Sequence, residues 1–517
     1  KICSPHSVVK NEELKAQFNE LRSTYHGFPI NESESFNVEL LDNLINKMKR
    51  GKAAGLDDIT AEHLKFCHPI VVSILCKLFN FFISTAHIPH DFGASYTVPI
   101  PKCDGRTKSL TEDDFRGISV SPVISKLFEL AILDRYSNYF QSSDYQFGFK
   151  PQLSCRHVIY NVRNVIEQHI SRGSTVNFCA LDLSKAFDRT NIFAILIRLM
   201  ERKLPVKLLS IFEKWFQMSR TCVKWGGFTS RFFKLHAGVR QGGVLSPYFF
   251  AILIDLLVAK IKATIAGSYN ATVCVSIFMY ADDIVLLSPS VTGLQTLLTA
   301  CESELIDLDM RLNVMKSICM RFGPRFNVPC ASIVSSNGPL KWVTSCRYLG
   351  VFFSSGRQFR CCFDNAKISF YRAFNSIMGK VGRFASEEVL ISLLVTKCFP
   401  CLLYGVEACP LLARNKSSFD FLLTRTFMKL FRTGSPVVVK QCQLQFNVLP
   451  FQFQLDIRTA KFLEEFVSSN NSLCMLFKHR ATSQLHNLCA VYGDHIKSSR
   501  DILITSNELF AKSVLLA

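Results

Sequence analysis

Residues 273–288 read VCVSIFMYADDIVLLS. Apolar residues run up to the Asp282–Asp283 pair and away from it again. Two such runs, rich in β-branched and aromatic side chains, read as buried strands, and the acids between them sit where the chain reverses. The stretch predicts a buried β-hairpin with carboxylates at its tip. Aspartate is also an ordinary turn residue, so the pair alone does not establish chemistry. Neighbouring side chains of a strand point to opposite faces, so only one of the two need be a direct ligand throughout a reaction.

Upstream, VNFCALDLS (176–184) is another short apolar run, ending on Asp182. It predicts a strand beside the hairpin, which would bring three carboxylates to one cleft. Hard divalent cations take oxygen ligands, and Mg²⁺ is usually held by one or two carboxylates plus substrate phosphates. The plainer role for Asp182 is an acid at a helix N-terminus, because KAFDRTNIFAILIRLMERK (185–203) has helical period. Between the acids lies GVRQGGVLSP (238–247). Its three glycines leave backbone amides bare before a helix, where a base or phosphate can approach.

Further out, TCVKWGG and RFFKLHAGV predict two strands joined at Gly226–Gly227. SPYFFAILIDLLVAKIKAT predicts one long helix with Ser246 as N-cap and Pro247 at its first position. A helix over 291–309 and a strand SICMRF (317–322) complete a strand–helix–strand–strand–helix–strand order, the split β-α-β arrangement. FNVELLDNLINKMKR (36–50) has helical spacing, and a glycine-bearing turn, GKAAGLDD, leads to a further helix through about Ser84. YTVPIPK and FRGISV are short extended pieces before a helical stretch over 122–140. Beyond about residue 358 the pattern is mostly helical.

The chain has 517 residues and a net charge of +19, from 60 basic against 41 acidic side chains. Such a surplus suggests a polyanionic partner, nucleic acid first. The 20 cysteines lie mostly in apolar runs such as SILCKLF, as buried reduced thiols do, which excludes a disulfide framework. The 45 phenylalanines have no explanation in the sequence itself. The polar opening KICSPHSVVKNEELK carries no signal peptide and no initial Met, as a fragment or processed piece would. Lys77 and Asp255 interrupt the two most apolar runs, so no membrane span is expected.

Taken together, LDLSKAFD, GVRQGGVLSP and MYADDIVLL resemble, in order and spacing, the central motifs of reverse transcriptases of LINE-type (non-long-terminal-repeat) retrotransposons. GKAAGLDDIT, PIPKCDG, FRGISVSPVISKLFE and QFGFKPQLS resemble that family's fingers segments. LNVMKS and RYLGVFF resemble its later palm motifs, and CLLYGVEACP a segment of the following helical region. The resemblance covers roughly residues 45–410. It implies an α+β right-hand polymerase: an N-terminal helical extension (1–35), fingers (36–175), a palm with an antiparallel split β-α-β sheet (176–355) and a helical thumb (356–440). The role of a C-terminal helical region (441–517) stays open.

The resemblance also implies roles residue by residue. Asp182, Asp282 and Asp283 would hold two Mg²⁺ ions, with Mn²⁺ as substitute. Phe187 falls at the sugar-gate position. Gln241 and Gly242 would line the nucleotide pocket, and Lys102 and Arg116 would meet the triphosphate. Lys316 matches a lysine that assists pyrophosphate departure. Tyr348, Leu349 and Gly350 would grip the primer end. The implied activity is RNA-directed DNA synthesis, with template RNA, DNA primer and deoxynucleoside triphosphates as partners. The implied location is intracellular, in the nucleus if synthesis is primed at a chromosomal target. Oligomeric state is not legible.

The chain departs from the family pattern at Ala54 and Asp58, where Pro and Gly are frequent, at Gly243 instead of Ser or Cys, and at Ile192 instead of His. A group II intron-type enzyme shares the YADD core, but LDLSKAFD and LLYGVE favour the LINE type. A catalytically inactive, retroelement-derived RNA-binding protein is the rival of another class; retention of all three acids argues against it. Cys398 and Cys401 have metal-ligand spacing but no second pair nearby. Cys474, His479, His486, Cys489 and His495 fit no standard zinc knuckle, so zinc is not expected. No nuclease module is recognisable.

Overall fold

The computed structural model describes residues 4–30, 35–102, 110–382 and 384–515. Its contacts divide the chain into two compact units, each assembled from three segments. The first is Lys1–Phe149, Asp182–Ala263 and Thr299–Asn313; the second is Lys150–Leu181, Thr264–Leu298 and Val314–Ala517.

The first unit holds a sheet in which the Ala94–Pro101 strand lies antiparallel to Phe115–Val120 and parallel to Arg220–Trp225. The parallel pairing covers only Ala94–Thr97. Pro99 and Pro101 lie beyond it, where a missing amide proton on that side breaks no ladder. Arg220–Trp225 turns through Gly226–Gly227 into Phe228–Thr229, and Phe233–Lys234 returns to its base. Of the expected second strand, RFFKLHAGV, only Phe233–Lys234 is a strand, and residues 235–239 are not.

Helices of this unit pack on one another, and several start on side chains that accept from free amides. Ser7 caps Val8–Ser23, Asn37 caps Val38–Lys47 and Asn191 caps Ile192–Glu201. The Asn191 cap is why the expected helix from Lys185 is broken into Ala186–Arg189 and Ile192–Glu201. Part of the phenylalanine surplus acquires a purpose in this unit. Phe36, Phe79, Phe82, Phe92 and Phe128 form a connected aromatic cluster, and Phe128 stacks on Trp215 with centroids 6.0 Å apart. Such offset and edge contacts add to the area that rings bury.

Two expectations about the helix after the glycine loop are corrected. It starts at Ser246, but Ser246 is inside the first turn and buried, and Leu245 occupies the cap without a side-chain bond. The cap is supplied from elsewhere: the buried Glu129 carboxylate accepts from Val244 N at 2.7 Å and Leu245 N at 2.8 Å. The helix is also not continuous. It divides at Asp255 into Ser246–Ile254 and Leu256–Ala263, where Asp255 accepts from the amide and hydroxyl of Ser143.

The second unit is built on a five-stranded sheet in the order Lys341–Trp342, Ile318–Phe322, Val176–Leu181, Asp283–Ser288, Ile277–Tyr280. Each neighbouring pair among its last four strands is antiparallel. In chain order they stand fourth, first, third, second, as in a split β-α-β unit. Phe178, Cys179, Ile284, Val285, Leu286 and Leu287 are fully buried, which explains why these strands read as unbroken apolar runs. A second sheet, Ser345–Tyr348, Val351–Ser354 and Arg360–Cys362, follows.

The C-terminal residues belong to this unit. Phe451–Val467 packs with Lys478–Ala490 and Ser499–Leu515, and the set is tied to the Cys155–Ser171 helix. Arg156 bridges Glu407 at 3.1 Å and Glu465 at 2.9 Å, Arg480 pairs with Glu167, and the Tyr160 hydroxyl donates to Gln484 at 2.8 Å. Cys474 and Cys489 are buried, while His479, His486 and His495 are exposed. Cys398 is buried and Cys401 exposed. One helical stretch, Glu387–Ala408, is long and apolar enough to cross a membrane, contrary to the expectation from Lys77 and Asp255. Half of it is buried within the protein, as a core helix would be.

Candidate active site

In the second unit the acid-bearing hairpin has the register Asp283↔Tyr280, so Ala281 and Asp282 form a two-residue turn. Ala281 has φ +57°, a conformation costing an L-residue roughly 1 kcal/mol. That strain accompanies the chain reversal that sets both acids at the strand end. Leu181 pairs with Ile284, so the end of the Val176–Leu181 strand and the hairpin turn share one end of the sheet. Asp282 and Asp283 are half-buried.

Asp182 is the residue after Leu181 and is counted with the first unit. There it is half-buried, and Asn313 holds it twice: its side-chain amide donates to Asp182 Oδ2 at 3.1 Å and its backbone amide to the Asp182 carbonyl at 2.8 Å. Among the described residues, no group of three or more His, Cys, Asp or Glu side chains is arranged to hold a metal ion. The donors are oxygens only. That suits Mg²⁺, which normally completes its shell with substrate phosphates and water.

The first unit carries a cavity of about 760 Å³. Lys102 and Gln241 line it, together with Lys185, Asp188 and Ser119. Its wall is the glycine loop laid against the Ala186–Arg189 turn. Gly238 N donates to Thr190 O and Val239 N to Phe187 O, both at 2.8 Å. A methyl group on Gly238 would stand 2.5 Å from the Asp188 carbonyl oxygen. Gly242 has φ +128°, and a Cβ there would collide with the Ser119 carbonyl oxygen. The close approach and the backbone angle thus both require glycine. Gln241 is fixed at both ends: its carbonyl accepts from Ser119 N at 2.8 Å and its side-chain Nε2 donates to Asp188 Oδ1 at 2.7 Å. Burial pushes the Asp188 carboxyl up, opposed by Gln241, Lys185 and Lys102.

Asp188 and Glu129 are the residues missed from the sequence. Asp188 lay in plain view in LDLSKAFD, but nothing there shows that it orients Gln241. Glu129 closes FRGISVSPVISKLFE with no local sign of its distant amides.

The other candidates divide. Phe187 is half-buried, stacked on Phe250 at 4.6 Å and edge-on to Phe149 at 6.1 Å. Arg116 and Lys316 are exposed. Tyr348 is corrected: its side chain is only 3% exposed, packed on Phe178 and Phe353, so it presents no surface to a primer. Only the Leu349–Gly350 turn is accessible, and both residues have positive φ. The Tyr348 hydroxyl is buried and has no hydrogen-bond partner among the described residues. Tyr348→Phe should therefore leave stability unchanged or raise it by about 1 kcal/mol, read as the urea midpoint; a loss above that would show that the hydroxyl is bonded.

Two of the departures from the family pattern have local explanations. Asp58 adopts φ +56°, the left-handed region that glycine favours and aspartate tolerates. A side chain at Gly243 would meet Ser246 Oγ at 2.6 Å.

Residues 100–353 match the family described as reverse transcriptase (RNA-dependent DNA polymerase). The chain is 25% identical over 324 residues to the Retrovirus-related Pol polyprotein from type-2 retrotransposable element R2DM of Drosophila melanogaster, covering 61% of this chain and 30% of that protein. It is 22% identical over 416 residues to the RNA-directed DNA polymerase from mobile element jockey of the same fly, covering 77% and 44%. It is 26% identical over 357 residues to the putative 115 kDa protein in type-1 retrotransposable element R1DM, also of that fly, covering 64% and 33%. The chain thus spans less than half the length of these relatives. A solved apo telomerase from Candida tropicalis aligns over 86% of this chain and 72% of its own, with 13% identity and a TM-score of 0.37. Residues 100–353 are thus a reverse-transcriptase domain, similar to those of the LINE-type, non-long-terminal-repeat retrotransposons.

Proposed function

We propose that this chain is the RNA-directed DNA polymerase of a non-long-terminal-repeat retrotransposon. It would extend a DNA primer on an RNA template within a right-hand frame of fingers, palm and helical thumb. The observation that carries the reading is the reverse-transcriptase match over residues 100–353, which contains all three aspartates. In the reaction, the primer 3′-hydroxyl loses its proton and bonds to the α-phosphorus of a deoxynucleoside triphosphate. The bond from that phosphorus to the bridging oxygen breaks, and pyrophosphate leaves.

Asp182, Asp282 and Asp283 would hold the divalent ions. When bound, such ions lower the pKa of the attacking hydroxyl and stabilise the leaving oxygen. Lys102 and Arg116 offset the triphosphate charge, and Lys316 assists departure of pyrophosphate. Phe187, anchored on Phe250, excludes a 2′-hydroxyl. Gln241 and Gly242 form the nucleotide floor. The aspartate carboxylate is acceptor-only, so Asp188 holds the Gln241 Nε2 and thereby fixes which end of the amide carries Oε1. The Leu349–Gly350 turn contacts the primer through its backbone.

The test is primer extension on an RNA template with Mg²⁺. Synthesis that stops with chelation supports the reading; binding of primed template without synthesis overturns it. Asp188→Asn, which can donate as well as accept, should raise the KM for nucleotide about tenfold, as expected for one lost charge-assisted hydrogen bond, with kcat within a few-fold. Because burial raises its pKa, lowering the pH should produce the same KM effect in the parent and not in the variant. Equal losses in KM and kcat, with no change of pH profile, would reduce Asp188 to a structural role.

A further inference from the structure

Residues 220–234 read RTCVKWGGFTSRFFK, with four basic side chains, four large aromatics and no acid. The structure places Trp225 and Phe228 directly opposite each other across the Gly226–Gly227 turn. Cross-strand partners lie on one face, so the hairpin tip presents an aromatic pair. Neither is packed away: Phe228 is 83% exposed and Trp225 54%. Trp225 meets the edge of Phe115, with centroids 5.3 Å apart. Phe232 and Phe233 are also exposed, and the Arg220 guanidinium lies 5.1 Å from the Phe232 ring centre. Trp225, Phe233 and Lys234 border the cavity that Lys102 and Gln241 line.

A hairpin tip needs only turn residues, and large aromatics left in water are unfavourable there unless something covers them. Bases of a single strand offer flat faces that stack on aromatic rings whatever the sequence, and interleaved cations hold the phosphates. Paired bases in a duplex offer no such faces. We infer that the 220–234 hairpin is a stacking platform for single-stranded template RNA, which it delivers to the rim of the adjoining cavity. The inference rests on the polymerase reading for its choice of strand. The charge of the segment favours a polyanion over a protein partner.

The test uses the full chain and a fluorescein-labelled 12-nucleotide oligouridylate, followed by anisotropy. Phe228→Ala and Trp225→Ala should each weaken binding about tenfold, and Phe228→Tyr should restore it. Because Phe228 is exposed, its replacement should leave the melting temperature unchanged. On primed templates, Phe228→Ala should raise the KM for a template with a long single-stranded overhang about tenfold. It should not alter extension on a one-nucleotide overhang. Affinity within twofold of the parent, or equal losses on both templates, overturns the platform. So would variants that lose self-association or vesicle binding instead, which would assign the face to a protein or a membrane. If the parent extends no primer, the polymerase reading fails by itself, and the oligouridylate titration still decides the platform.

Discussion

Asp283→Asn should lower the rate of primer extension by roughly 10³-fold, the loss expected when a group that stabilises developing charge is removed. The substitution keeps shape and hydrogen-bonding atoms and removes only the charge. The hairpin should therefore survive it: Asp283 begins a strand whose next four residues are fully buried and pair with Val176–Leu181. Asp282→Asn should cost less if only one acid of the pair stays bound throughout the cycle. The measurement is single-turnover incorporation of one deoxynucleotide on an RNA template, with the near-ultraviolet circular dichroism of each variant as the control for folding. A rate within twofold of the parent would sink the assignment of these carboxylates.

Glu129→Ala should destabilise the first unit by about 3 kcal/mol, a figure typical of leaving buried polar groups unpartnered. Three effects add. The amides of Val244 and Leu245 lose their acceptor. The N-terminus of the Ser246–Ile254 helix loses the anion that its dipole favours. The Arg240 guanidinium, which feels the Glu129 charge and donates to Phe92 O, Gly93 O and Ser219 Oγ, keeps its carbonyl partners but loses its counter-charge. Burial pushes the Glu129 carboxyl up, while those two amides and Arg240 oppose the rise. Glu129→Gln, still able to accept from both amides, should cost about half as much. Fluorescence of Trp215, buried against Phe128 in the same unit, reports the transition in urea. A loss under 0.5 kcal/mol would mean that solvent can replace the carboxylate. Arg240 and Val244 both belong to the glycine loop, so activity should fall with stability.

Much of the site is legible in sequence because its parts are local. An apolar run interrupted by two acids specifies a buried hairpin: its strands are covered on both faces and must be continuously apolar. Gly238 and Gly242 are legible for a similar reason, since only a residue without Cβ fits a backbone pressed against another backbone. What failed were statements that depend on distant partners. Ser246 has the composition of a cap, but Glu129, more than a hundred residues earlier in the chain, supplies it. Tyr348 lies in a motif whose resemblance implies contact with a primer, yet alternation along the Ser345–Tyr348 strand turns its side chain into the core.

The sequence by itself determined the order of the main strands and the reverse-transcriptase kinship, and singled out the three acids as candidates, because periodicity and motif spacing are properties of adjacent residues. Only the tertiary structure decided which segments share a unit: Val176–Leu181 lies in the sheet of the second, while the residues that follow it, from Asp182, are counted with the first. It also decided that Asp188 orients Gln241 and that Glu129 caps the helix after the glycine loop. Buried polar groups must find partners wherever the fold brings them, and that search is not confined to neighbours in the chain.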